Sequence, residues 1–316
     1  MTPKTTLLAL ALLLAACTPG RRGATSRGAD VPGAARPSRD GLWALVPADT
    51  DWMLLAVPGA LPRELVGRFP SLAETGPCRE GPPGAVLFLH GVRGADEAFT
   101  AEVRLFDGVR AGCVPEAVGS HRQFPVLSRR PASASGERSG RRPELWEVWS
   151  PRAWVRAPEE RARYVVDRAA DPDAAGAVEP VALRRAVAAW RPAVEGEPAL
   201  ALWFTGSKRV ARFLEPLFPE VPLRGGLLIF FADGWVRLRV HLEFADTATA
   251  ELAVTKLRDG IISAIESGNY PRLDWKAALA PLVVHPEGSL LWVQWSMPVA
   301  RALPLVFAVA GKGTHE

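Results

Sequence analysis

The stretch GLLIFFADGWVRLRVHLEF, Gly226 to Phe244, decides how this chain is read. Two apolar runs flank Asp233-Gly234, a dipeptide that supplies the positive φ angles a two-residue hairpin turn demands. Beyond the turn the pattern has period two. Val236, Leu238, Val240, Leu242 and Phe244 point one way, while Arg237, Arg239, His241 and Glu243 point the other. Such a strand pair belongs to an antiparallel sheet with one face to bury.

Reading outward, DTATAELAVTKLRDGIISAIES switches to a period near 3.6 and places Ala250, Val254, Leu257, Ile261 and Ile265 on one helical stripe. Asp246 or Thr247 can cap its free N–H groups, and Gly260 weakens the helix without stopping it. Upstream, Leu200 to Phe204 reads as a strand, and SKRVARFLEPLF as a short helix that Ser207 caps. Downstream, SLLWVQW is a further strand. PVARALPLVFAV is a final apolar segment that Pro304 breaks or kinks, too short for a membrane span and read as a buried helix.

The first half repeats the opening of this order. Trp52 to Val57 is a strand, Pro62 to Phe69 a short helix, and Ala85 to Val92 and Phe99 to Phe106 a strand pair. In the last strand Thr100, Glu102 and Arg104 alternate with Ala101, Val103 and Leu105, which gives it one polar face. Arg129 to Arg142 reads as an exposed loop. ELWEVW and AWVRA are strands around a Ser150-Pro151 turn, and EERARYVVDRA is a helix led in by Pro158. The expected class is α+β: two related units of antiparallel sheet with helices packed on one face, on a plan that includes the split βαβ unit. A single sheet shared by both units gives the same pattern. The expected organisation is a signal segment over 1–16, a flexible tether over 17–40, a first unit over 41–171 with a disordered loop near 129–142, a linker and helix (VALRRAVAAW) over 172–198, and a second unit over 199–316.

Hydrophobic residues make up 48 % of the chain and charged residues 23 %, which suits a substantial core. The formal charge of +4 is spread along the sequence. Its basic tracts, RRGATSR and SHRQFPVLSRRPASASGERSGRR, are rich in Pro, Gly and Ser and lack the interleaved aromatics of a nucleic-acid platform, so no nucleic-acid partner is expected.

The compartment is written at the start. Lys4 precedes ten apolar residues, Leu7 to Ala16, which is the charged-then-apolar order of an export signal and far short of the roughly 20 residues a bilayer requires. Leu14, Ala15, Ala16 and Cys17 (LAAC) resemble the lipobox of bacterial lipoproteins. That resemblance implies cleavage before Cys17, a diacylglycerol thioether and an N-acyl chain on it, and hence a lipid bilayer as partner. Several acyl chains on one residue give a durable anchor where one does not. Thr18 in place of an aspartate implies, on the Gram-negative sorting pattern, the periplasmic face of the outer membrane. Thr18 to Arg39 has almost no large apolar residue and reads as a disordered tether. Cys78 and Cys113 remain. In an oxidising compartment they are candidates for a disulfide closing a long loop, with two buried free thiols as the alternative.

No segment carries a catalytic signature, and the catalytic and metal assignments are none. LFLHG, Leu87 to Gly91, lacks the G-x-S-x-G elbow that an α/β-hydrolase oxyanion loop accompanies, so His90 reads as a strand-end residue. FTGSKR lacks the first glycine of a phosphate loop, and Lys208 follows Ser207. His90, His121, His241, His285 and His315 show no close ligand spacing, and no cofactor is implied. Eleven tryptophans stand out, several in strands: Trp146, Trp149, Trp203, Trp292 and Trp295. Trp292 and Trp295, three apart, fall on opposite faces of a regular strand. Trp203, Trp292 and Trp295 are the candidate binding surface for an envelope protein, glycan or apolar ligand, with ordinary core packing as the alternative. The leading reading is a membrane-anchored, non-catalytic binding or structural protein. An extracytoplasmic enzyme of unknown class and a carrier of an apolar molecule are the alternatives.

Overall fold

The computed structural model describes residues 45–47, 49–68, 72, 74–79, 81–93, 97–106, 110, 112–131, 144–150, 152–170, 198–206, 220–266 and 275–303. The signal segment, Cys17 and the tether lie outside them. So do most of the 129–142 loop, the 172–197 linker and helix, the helix starting at Ser207, and the chain from Pro304. The described residues fall into two compact units, 45–170 and 198–303. Both have mixed α+β architecture, with antiparallel sheet and helices packed on one face.

In the first unit, β1 (Thr50–Ala56), β2 (Ala85–Arg93) and β3 (Glu97–Leu105) pair antiparallel in chain order, with α1 (Arg63–Arg68) in the β1–β2 connection. The chain then moves outward and returns through β4 (Gly119–His121), β5 (Phe124–Pro131), β6 (Glu144–Trp149) and β7 (Ala153–Pro158). The last of these pairs with β3, giving the order β1-β2-β3-β7-β6-β5-β4. The helix α2 (Glu159–Ala170) follows Pro158 directly and carries Glu159 and Glu160 in its first turn, where they complement the helix dipole. Its Ala162, Val165 and Val166 are fully buried, and α2 packs on β6 and β7. The register puts Leu87, Leu89, Ala101, Val103, Val155 and Val148 on one face, all with no exposed surface. Burying each of these leucine and valine side chains stabilises the unit by about 1.5–3 kcal/mol.

The second unit likewise opens with three strands that pair in chain order. β8 (Leu200–Thr205), β9 (Arg224–Ala232) and β10 (Trp235–Glu243) pair in chain order, α3 (Thr247–Glu266) and α4 (Trp275–Leu279) follow, and β11 (Val283–Glu287) leads back through β12 (Leu290–Pro298) to β10. The order is β11-β12-β10-β9-β8. A split βαβ unit would interleave a third strand between two joined by a crossover; here β1-β2-β3 and β8-β9-β10 each pair in chain order instead. The hairpin turn at Asp233 and Gly234 has φ of 52° and 76°, both left-handed, as the two-residue turn requires. Thr249 N donates to Asp246 Oδ1 at 2.8 Å, so Asp246 caps α3, and Ala250 and Val254 of the expected stripe are buried.

Two further expectations need correction. Arg129 to Pro131 are not loop but the end of β5, and Gly119 to Pro131 form a β4–β5 hairpin. Phe124 and Val126 suffice to anchor it, at 5 % and 0 % exposure, despite the Pro- and Arg-rich setting. The second unit contains two elements absent from the expected order, α4 and β11; β11 is a five-residue strand at the end of the sheet order, where Pro286 costs no central ladder bond. The polar face of β3 that alternation marks is present and is covered: Glu102 and Arg104 are buried.

Candidate binding surface

The register of the second unit sets a single cross-strand row: Trp203 on β8, Gly226 on β9, His241 on β10, Trp292 on β12 and His285 on β11. Its face is opposite to that of Leu242, Leu291 and Val293. Gly226 is what lets the row close up. A Cβ there would lie 3.0 Å from Trp203 Cδ1, so the missing side chain is the space the indole occupies. His241 has no exposed surface, and its ring centroid lies 4.7 Å from that of Trp292 at a 32° tilt. Burial pushes the His241 pKa below its ordinary value of 6.5; Glu243 opposes that shift and Arg224 adds to it. Arg224 and Glu243 face each other across β9 and β10 in a two-bond ion pair, Nε to Oε2 at 2.6 Å and Nη2 to Oε1 at 2.7 Å.

The three tryptophans singled out in the sequence do not form one surface. Trp203 is buried. Trp292 is half-buried, and its Nε1 donates to Glu287 Oε2 at 3.0 Å. Trp295 lies on the opposite, helix-bearing face, where its Nε1 donates to Ala278 O of α4 at 2.8 Å. Trp235, beside the hairpin turn, and Val283 of β11 share the face of Trp292 and are exposed.

Cys78 and Cys113 are joined in a disulfide, with Cα atoms 5.5 Å apart. Around it lies a cluster that the sequence did not single out. Arg104 is 2 % exposed; its Nε donates to Glu102 Oε1 at 2.7 Å, its Nη1 to Glu74 O at 3.0 Å and its Nη2 to Glu74 Oε2 at 2.9 Å. Arg156 bridges Glu102 and Glu147 at 3.5 and 3.0 Å. Arg104 and Arg156 both lie against Trp154, with guanidinium-to-centroid distances of 4.7 and 5.3 Å. Arg79 donates to Ser150 O at 2.5 Å and stacks on Phe106 and Trp149; burial lowers its pKa to about 10, which leaves it charged at neutral pH. Alternation does place Glu102, Arg104, Trp154 and Arg156 on one face. Nothing local in the sequence says that the segment Glu74 to Arg79 lies over them.

His90 lies within β2, stacked on Trp52 at 5.5 Å, with Nδ1 3.3 Å from Thr100 Oγ1. Among the described residues no group of three or more His, Cys, Asp or Glu is placed to hold a metal ion.

No protein-family model matches the chain, and no curated protein matches it. Among solved structures the chain is similar to TP0453 in crystal form I, at 12 % identity over 84 % of this chain and 96 % of that one, with a TM-score of 0.38. Crystal forms III and IV of TP0453 give 10 % identity over 84 % and 85 % of this chain and 97 % and 96 % of theirs, with TM-scores of 0.41 and 0.40. A likeness at this level carries no argument about what the chain does.

Proposed function

We propose that this chain is an exported lipoprotein, cleaved before Cys17 and acylated on it, with a non-catalytic binding or structural role in the bacterial envelope. The observation that carries the proposal is the Cys78–Cys113 disulfide. Such bonds persist in oxidising compartments and are rare in the cytosol, which agrees independently with the export signal read from Lys4 and Leu7 to Ala16. The LAAC resemblance supplies the anchor, and on the Gram-negative sorting pattern Thr18 favours the periplasmic face of the outer membrane. Binding of an envelope protein, glycan or apolar ligand falls to the face that carries Trp292, Trp235 and Val283, because Trp203 is buried in that face and Trp295 is turned to α4.

The test is the mass of the mature N-terminal peptide together with detergent phase partition. Cys17 bearing diacylglycerol and an N-acyl chain, and a detergent-phase protein that becomes aqueous on Cys17→Ser, is the expected result. An unmodified Cys17 in membrane-free protein overturns the anchor. Loss of partner capture by Trp292→Ala with unchanged stability identifies the binding face; unaltered capture overturns that assignment.

A further inference from the structure

The segment Glu74 to Arg79 covers the buried charge of the first unit through a series of separate contacts. Glu74 O and Oε2 take two donors of Arg104. Gly76 sits so close to the sheet that a Cβ would lie 3.2 Å from Phe106 and 3.4 Å from Trp154. Pro77 O accepts from Trp149 Nε1 at 3.1 Å, and Arg79 reaches Ser150 O. Beneath this strap Trp149 and Trp154 are 8 % and 7 % exposed.

Arg79 and Gly76 pack closely, and the hold at the other end of the segment is the weaker one. Glu74 is half exposed, at 51 %, so water and salt screen its ion pair. Cys78, one residue before the end of the segment, has a left-handed φ of 62°, a conformation a β-carbon resists and one that persists only where the surroundings impose it. Two bonds impose it here: the disulfide to Cys113, and Arg110 N donating to Cys78 O at 2.9 Å. Both tie the strap to the segment 110–113. Both cysteines are partly exposed, so an external thiolate can reach them.

We propose that Cys78–Cys113 is a redox latch, and that its reduction frees the strap and uncovers the arginine–tryptophan face of β3, β6 and β7. The reductant is a protein dithiol. One of its thiolates attacks a latch sulfur to form a mixed disulfide, and the second thiolate resolves it. The carrier leaves as a disulfide and Cys78 and Cys113 as thiols, two electrons and two protons having moved. The inference goes beyond the anchoring proposal, and its test is independent of whether Cys17 is acylated.

Hydroxyl-radical footprinting of the processed full-length chain tests it, read tryptophan by tryptophan. The oxidised protein is compared with reduced protein freed of reductant and with Cys78→Ser/Cys113→Ser. Trp149 and Trp154 should become modified on the order of tenfold faster once the latch is open, while Trp146, buried on the helix-bearing face of the same unit, keeps its rate. Unchanged rates at Trp149 and Trp154 would overturn the proposal, because the strap then stays shut without its latch. A matching rise at Trp146, with loss of the circular dichroism signal, would overturn it too, since the bridge is then a staple for the whole unit.

Discussion

His241 of β10 and Trp292 of β12 stand directly opposite each other in the antiparallel register, rings 4.7 Å apart, and the imidazole is completely enclosed on a strand face that alternation marks as polar. A neutral ring suits that enclosure, and a charged one does not.

Acid should therefore weaken the fold through this residue. Desolvation holds the folded pKa of His241 below the 6.5 of the unfolded chain, so below that pH the unfolded state binds a proton that the folded state refuses. The contribution is intact above the unfolded value. It is lost progressively as pH falls below 6.5, until the folded value is reached. Urea titrations of wild type and His241→Phe across this window should show a steeper acid decline in wild type; parallel curves would mean that protonation of the ring is not resisted.

Two adjacent glycines should differ in what they tolerate. A Cβ on Gly225 would lie 2.7 Å from His241 O and from Phe204 Cζ, and the carbonyl belongs to the neighbouring strand and cannot move alone. Gly225→Ala is expected to cost about 1–3 kcal/mol, as overpacking does. At Gly226 the nearest atoms are farther off, Trp203 Cδ1 at 3.0 Å and Leu202 O at 3.2 Å, so Gly226→Ala should cost less. Chemical denaturation of both variants checks the order.

Alternation in the sequence tells which residues share a face, and it was legible for β3, β10 and β12. What covers a face was not. The burial of Glu102 and Arg104 is not legible, because the segment over them lies 30 residues from Arg104 and is tied by a disulfide whose closure no spacing reveals. His241 is hidden for a similar reason: its neighbours Trp203 and Trp292 come from other strands and meet it only through the register. Of the missed elements, the eight-residue β5 was masked by its Pro- and Arg-rich composition, and the others failed for want of length. β4 has three residues, α4 five, and β11 five with Pro286 inside it, below what periodicity resolves. The Asp233-Gly234 hairpin and the α3 cap were legible because turn and cap chemistry is carried by the residues themselves.

The Arg104–Glu102 pair should behave as a buried ion pair does. Arg104→Met strands Glu102 with only the longer contact to Arg156, and removes the guanidinium from Trp154, so a loss of about 3 kcal/mol is expected. Adding Glu102→Gln in the same chain should recover part of that loss, because the remaining buried charge goes with it. A double-mutant cycle by urea unfolding measures the coupling; simple additivity would mean that the two side chains act independently.

Asp246 gives the opposite acid response in origin but the same direction. Its carboxylate accepts from Thr249 N at 2.8 Å, and this bond, ahead of the Thr249 hydroxyl and a smaller contribution from Ala248 N–H, holds its pKa below the ordinary 3.8. A depressed carboxylate contributes stability that is fully present above the unfolded pKa and disappears as pH falls through the folded one. Asp246→Ala removes an acceptor for the orphan donors of the first turn of α3 and should lower the melting temperature at neutral pH. Asp246→Asn retains an acceptor and should lie between the two. On acidification below the ordinary carboxylate range wild type should approach Asp246→Asn, since a protonated cap accepts no better than an amide. Melting curves of all three at neutral and acid pH decide it: a wild-type advantage over Asp246→Asn that survives acidification would mean that the charge on Asp246 is not what stabilises the turn.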